Sequence, residues 1–225
     1  MRTLAIDTSG DVSLVALTVE GELVCEIAAR MRAKHGETLL GHVERVLATG
    51  GVSIDTLDLI AVGLGPGSFT GARIGLATAK GLCLARRTPL VGVRTTEVLA
   101  CGVTGAWRVP VVDAHKGEVF AAIYDGACER RWDEAHGTPE QVGHAVRAWL
   151  GPQAPILVGS GLVPYGPRFT LALGAPYELA PPALSIPRAA ILAERAERAL
   201  MARGPDDLRT LEPLYIRAAD AKLPD

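Results

Sequence analysis

The chain has 225 residues, of which 48% are hydrophobic and 21% charged, with a formal net charge of −2. That length builds one large domain or two lobes of roughly 100 residues each. The charge excludes a strongly basic global footprint for nucleic acid, and no apolar run approaches the roughly 18 residues of a membrane span.

The N-terminus passes at once into a strand-like run, Leu4-Ala5-Ile6-Asp7, without a leader-type apolar core or small-residue cleavage site. A soluble, cytoplasmic protein without membrane association is expected. Cys25, Cys83, Cys101 and Cys128 lie far apart with no CxxC spacing, and three of them stand in apolar runs. They read as buried free thiols. Residues 61 to 118 carry seven Arg or Lys against three acids, a modestly basic middle that fits a solvated surface or a local nucleic-acid contact.

After the first strand, turn residues Thr8 to Asp11 lead into a second strand over Val12 to Val19, and Glu20-Gly21 turns into a third over Glu22 to Ala28. A helix is expected from about His35 to Leu47. Leu39, Leu40, Val43, Val46 and Leu47 fall within an arc of about 120° at helical spacing. Gly50-Gly51 ends it. Leu59-Ile60-Ala61-Val62 reads as a buried strand. The turn Gly65-Pro66-Gly67-Ser68-Phe69-Thr70-Gly71 then joins it to a helix over Thr70 to Ala85 that is apolar nearly all round, with only Arg73 and Lys80 as a polar stripe. Such a helix must be covered on more than one side. Leu90 to Val93 is the next strand.

The second half repeats this order. Val109 to Asp113 is a strand ending in aspartate, as Leu4 to Asp7 is, and Glu118 to Tyr124 is its neighbour, with Asp125-Gly126 turning into a third. Thr138-Pro139-Glu140-Gln141 is a capped helix start, and that helix runs to about Leu150. Ile156 to Gly159 is a buried strand, and a last helix from about Pro187 stops at Gly204-Pro205. The expected class is α/β: a duplicated fold of two lobes, each a mixed sheet flanked by helices. This is the plan of the actin, sugar-kinase and heat-shock ATPase superfamily, which is ribonuclease H-like. The lobes are set at 1–103 and 104–225, with the helix over 187–203 free to pack back on the N-terminal lobe.

Two constellations could carry chemistry. Glycines after a strand let backbone approach a phosphate, and a helix N-terminus attracts anions, which makes Gly65, Gly67 and Ser68 a candidate anion cradle. Against this, neither GxxxxGK[ST] nor GxGxxG is completed, and Gly71 and Gly75, four apart, equally suit close packing. Asp7 and Asp113 end equivalent strands and could hold a magnesium-nucleotide between lobes, or simply cap their own turns. His35, His42, His115, His136 and His144 form no HxxxH or HExxH pair, so no metal site is expected. No GxSxG nucleophile elbow occurs. His115 and Lys116 on a hairpin could meet a substrate or lie in a solvated turn.

Four segments, LAIDTS at 4–9, GLGPGSFTGARIG at 63–75, DAHKGEVF at 113–120 and EPLYIR at 212–217, together resemble the bacterial TsaB family. The resemblance runs from end to end, and HGETLLGHVERVL fits the family's first interface helix. It implies a non-catalytic subunit of the machinery that forms threonylcarbamoyladenosine in tRNA. In that machinery a related TsaD-type subunit transfers the group to the adenosine beside the anticodon, using a metal held by a histidine pair. Here Thr95 and Leu99 would occupy the histidine positions, so the metal and the catalytic role are expected to be absent.

The resemblance further implies dimerisation with a TsaD-type subunit, or with a second copy when alone, through the first two helices. A TsaE-type ATPase joins the pair, tRNA is met indirectly, and no cofactor is expected beyond a nucleotide at a subunit interface. The interface is expected at Leu39, Leu40, Val43, Val46, Leu47, Gly71, Arg73, Ile74, Gly75, Ala77 and Thr78. The alternatives are an ATP-binding enzyme of the same fold using Asp7, Asp113 and the glycine turn, a glycoprotease, and direct tRNA binding by the basic middle.

Overall fold

The computed structural model describes residues 1–30 and 35–216, with side chains of the second stretch from residue 38 onward. The first half runs β1 (Arg2–Asp7), β2 (Val12–Val19), β3 (Glu22–Arg30), α1 (His35–Gly50), β4 (Leu59–Gly63), α2 (Phe69–Arg86), β5 (Leu90–Val93) and α3 (Thr95–Cys101). The second runs β6 (Trp107–His115), β7 (Glu118–Asp125), β8 (Arg130–Gly137), α4 (Pro139–Leu150), β9 (Ile156–Val158), α5 (Leu162–Leu173), β10 (Glu178–Leu179) and α6 (Ala189–Arg203). The same order of elements therefore occurs twice. The sheets match as well: β3-β2-β1-β4-β5 in the first half and β10-β9-β6-β7-β8 in the second. In each, the first three strands form an antiparallel meander and the later two add in parallel.

The strands divide their side chains as the two-residue period requires. In β1, Leu4 and Ile6 join Val15, Leu17, Val43, Val46 and Leu76 under α1 and α2. Ala5 faces the other way, onto Leu192, Ala193 and Ala196 of α6. Small residues on both sides let α6 lie close against the first sheet, so the last helix among the described residues completes the core begun by the first strand. The second sheet is covered by α4 and α5 on one face, through Val142, Val146, Phe169 and Leu173. Leu99 and Val103 pack on the other face against Val112, Phe120 and Val158.

Helix α4 starts as expected: Thr138 and Gln141 form a reciprocal capping box with Pro139 inside it. Helix α5 is a surprise to the sequence, because Pro164, Gly166 and Pro167 all argue against it. It persists because it lies tightly against α4. A Cβ on Gly143 would meet the Phe169 carbonyl and the Ala172 side chain. The expectation of four free thiols is also corrected. Cys101, at the end of α3, and Cys128, in the β7–β8 turn, are joined as a disulfide, while Cys25 and Cys83 are free. Burial pushes the Cys83 thiol up to about 12. Among the described residues no helix is long and apolar enough to cross a membrane.

Candidate functional site

The end of β1 and the start of α2 form one physical unit. Asp7 is 2% exposed. Its carboxylate accepts the Ser9 backbone N–H at 2.7 Å and the Thr95 hydroxyl at 3.2 Å, and the Ser9 and Thr95 hydroxyls lie 2.8 Å apart. Burial pushes the Asp7 carboxyl above its usual range, and the Ser9 and Thr95 hydrogen bonds pull it partly back.

Four glycines at intervals of four, Gly63, Gly67, Gly71 and Gly75, all face this turn. A Cβ on Gly63 would strike the Asp7 carboxylate, on Gly67 the Ser9 carbonyl, on Gly71 the Thr8 carbonyl, and on Gly75 the Thr8 hydroxyl. The contact is stitched by Thr8 Oγ1 donating to the Gly71 carbonyl at 2.6 Å and by Ser68 N–H donating to the Ser9 carbonyl at 2.5 Å. Ser68 then caps α2, accepting the Gly71 N–H.

This geometry bears on two expectations. In the expected anion cradle of Gly65, Gly67 and Ser68, the Ser68 amide is spent on the Ser9 carbonyl, and Gly65, at φ 88°, makes its turn through a cis bond to Pro66 while its carbonyl accepts the Thr95 N–H. Gly71 and Gly75 do permit close packing, but against Thr8 of their own chain rather than a partner helix.

Asp113, the equivalent of Asp7 in the second lobe, is only partly covered. It accepts the His115 N–H at 2.7 Å, and its own amide donates to Ser160 Oγ at 3.1 Å. The two aspartates face a cleft cavity of about 100 Å³ lined also by Ser9, Ser68, His115 and Ser160. Thr95 is committed to Ser9 and Asp7, and Leu99 is buried with Val112. Among the described residues no group of three or more His, Cys, Asp or Glu is arranged to hold a metal.

The expected interface residues separate into two sets. Leu39, Val43, Val46 and Leu47 lie at 0 to 7% exposure in the core of the first lobe, so the apolar face of α1 is already covered by its own sheet. Ile74 is half-buried against the same core, and Thr78 is half-buried as well. Leu40, Arg73 and Ala77 face solvent. They continue into residues that sequence reasoning passed over: Thr70, Gly81 and Leu84 on α2, and Gly41 and Ala48 on α1, all exposed. Leu84 is 70% exposed, and nothing lies within 4 Å of where a Cβ on Gly81 would be.

At the N-terminal end of this stripe, the Arg73 guanidinium stacks 3.7 Å over the Phe69 ring and donates to Tyr215 Oη at 2.9 Å, and the two rings are 5.2 Å apart. Tyr215 is held there because the Leu214 N–H donates to the Leu64 carbonyl. Phe69 and Tyr215 were each inside a motif, GSFTGAR and EPLYIR, and that was the signal available for them. Arg217, the last residue of the second motif, lies outside the described residues.

The family model for tRNA N6-adenosine threonylcarbamoyltransferase matches residues 20–154. The tRNA threonylcarbamoyladenosine biosynthesis protein TsaB of Escherichia coli is 41% identical over 128 residues, which are 55% of each chain. The match thus spans about half the length of such curated relatives. The solved structure of YeaZ from Pseudomonas aeruginosa superimposes with a TM-score of 0.80 at 28% identity, over 96% of this chain and 99% of that one. The ROK hexokinase of Thermus thermophilus, 13% identical with a TM-score of 0.54 over 89% of this chain and 100% of its own, shares the fold of two mixed sheets flanked by helices. With a matching family model over more than half its length and a YeaZ-like structure from end to end, this chain belongs to the TsaB/YeaZ family.

Proposed function

We propose that this chain is an accessory subunit of tRNA threonylcarbamoyladenosine biosynthesis. It docks a TsaD-type catalytic subunit on the exposed stripe of α2 and performs no chemistry itself. The observation that carries the reading is the stripe: Thr70, Ala77, Gly81 and Leu84 expose a narrow, nearly uncharged ridge with Arg73 and two aromatic rings at one end. Small residues let a partner helix approach closely, and Arg with Tyr or Phe is the composition of interface hot spots. In the absence of the partner, a second copy occupies the same face, giving a homodimer. A TsaE-type ATPase binds the assembled pair, tRNA is met through the complex, and the setting is the cytoplasm.

The rival of an ATP-binding enzyme draws little support from the cleft. A cavity of about 100 Å³ is well below the roughly 300 Å³ at which small-molecule sites begin, and Asp7 is engaged by its own turn. A nucleotide fits this reading only between subunits.

Reconstitution tests it. The chain would be mixed with a matching TsaD-type subunit, the ATPase, tRNA and the activated threonylcarbamoyl donor, and each component omitted in turn. Modification should be lost when either subunit is left out, and the chain alone should neither modify tRNA nor hydrolyse magnesium-ATP. Turnover by the chain alone would overturn the proposal.

A further inference from the structure

The disulfide between Cys101 and Cys128 lies outside the docking stripe and joins two parts of the molecule that matter to the lobe arrangement. Helix α3 is the beam between lobes. At its start Thr95 reaches Ser9 and Asp7 of the first lobe, and Thr96 lies 3.0 Å from Tyr124 Oη and donates to Glu134 Oε1 at 2.9 Å in the second. At its end, Cys101 is bonded to Cys128, 27 residues away in the β7–β8 turn.

A guanidinium stands beside the bond. Arg108 is 8% exposed. It donates to the carbonyls of Gly105 at 3.2 Å, Ala100 at 3.4 Å and Gly126 at 2.9 Å, and to Cys128 Sγ at 3.2 Å. Among the described residues no carboxylate pairs with it. A buried cation held by carbonyls and a sulfur, without an anion, would gain a charge-assisted hydrogen bond from a thiolate formed there. Of the two sulfur-bearing residues Cys128 is the more buried, at 7% exposure, whereas Cys101 is half-buried.

We propose that Cys101 is a site of reversible mixed-disulfide formation with low-molecular-weight thiols, with Cys128 as the leaving thiolate received by Arg108. The thiolate of the small thiol attacks Cys101 Sγ, a new sulfur–sulfur bond forms there, and the Cys101–Cys128 bond breaks with its electron pair passing to Cys128 Sγ. A second small thiolate then attacks the mixed disulfide at the small-molecule sulfur, releasing the small-molecule disulfide and a Cys101 thiolate that takes a proton from water. Two electrons reach the protein and two small thiols are oxidised, so the sequence balances. Opening the bond removes the covalent tie between the end of α3 and the β7–β8 turn and leaves the Arg108 hydrogen bonds to Ala100 and Gly126 as the link there, while Thr95 and Thr96 still hold the start of the helix.

The full chain would be equilibrated in glutathione buffers of graded redox ratio, quenched with acid, alkylated and mapped by mass spectrometry. The wild-type chain should pass through a glutathione adduct on Cys101, and amides of 98–106 and 125–130 should exchange faster once the bond is open. In a Cys101→Ser chain, the alkylation rate of Cys128 at pH 7 should fall about tenfold when Arg108→Gln is added. An adduct formed on Cys128 instead, a bond that glutathione never opens, or an unchanged alkylation rate would overturn the proposal. If Arg108→Gln loses the native circular dichroism, the position of the adduct in the wild-type chain decides the matter alone.

Discussion

The two lobes repeat one topology but finish their helical layers differently. In the second lobe, α4 and α5 close on each other over the sheet. Gly143 admits the Phe169 backbone, and across the surface Arg168 grips Glu140 with bonds of 2.6 and 2.9 Å, which hold the Glu140 carboxyl down to about 2. In the first lobe, α1 and α2 barely touch. Each buries one face in the sheet and leaves Gly41, Ala48, Ala77 and Gly81 outward. In one lobe the helix pair packs on itself, and in the other it leaves an open seam in which the small residues stand beside the exposed Glu44 and Arg45. The glycines mark the same contrast. Gly63, Gly67, Gly71 and Gly75 are spent on the Asp7 turn, whereas Gly81 touches nothing and is free for an external partner.

The sharpest way to break that contrast is to exchange the roles of two glycines on one helix. Gly71→Ala places a methyl group against the Thr8 carbonyl, a backbone atom that cannot turn aside, and should cost about 3 kcal/mol of stability. Gly81→Ala points into open space and should gain about 1 kcal/mol from helix propensity. Thermal or urea unfolding of the two variants measures both. Equal effects would mean that the glycines are not divided between inner and outer duties.

A smaller contrast separates core from seam among the leucines. Leu47→Ala, at 7% exposure, should destabilise by about 2 kcal/mol or more. Leu84→Ala should stay within about 0.5 kcal/mol of the parent chain, and its effect should appear in partner binding. Denaturant midpoints for the pair, followed by co-purification with the TsaD-type subunit, would check this. A large loss of stability at Leu84 would place it in the fold rather than the seam.

The smallest expected effect concerns Asp7. Burial raises its carboxyl in the folded chain, so the folded state binds that proton more tightly than the unfolded one. The stability this contributes is full below about pH 4 and is lost as pH rises through the folded value. Asp7→Asn keeps an acceptor for the Ser9 amide and removes the titration. It should therefore match or exceed the wild-type melting temperature at pH 7, with the advantage shrinking on acidification. A lower melting temperature at pH 7 would show that the ionised carboxylate supports the turn.

Much of this was legible in the residues. The duplication, the capping box at Thr138 and the buried strand at 59–62 are local patterns, set by short-range geometry. The four-residue spacing of Gly71 and Gly75 was visible too, but its partner lies some 60 positions away in the chain, and only folding brings Thr8 to it. Helix α5 was hidden because local proline signals were outweighed by tertiary packing against α4. The apolar face of α1 was legible as a face, and the structure covers Leu39, Val43, Val46 and Leu47 with the chain's own sheet while leaving Leu40 exposed. Amphipathic spacing states that Leu39, Val43 and Val46 must be covered, and it is silent on whether a sheet or another protein covers them.

Docking of the catalytic partner is the role proposed for the exposed seam of the first lobe. It is tested most directly by the affinity of this chain for a matching TsaD-type subunit, measured by calorimetry for the wild type and for Ala77→Glu. The substitution sits on an exposed position and should leave the melting temperature unchanged. An affinity loss of about 2 kcal/mol or more, roughly thirtyfold, is expected. A wild-type dissociation constant for Ala77→Glu would contradict it.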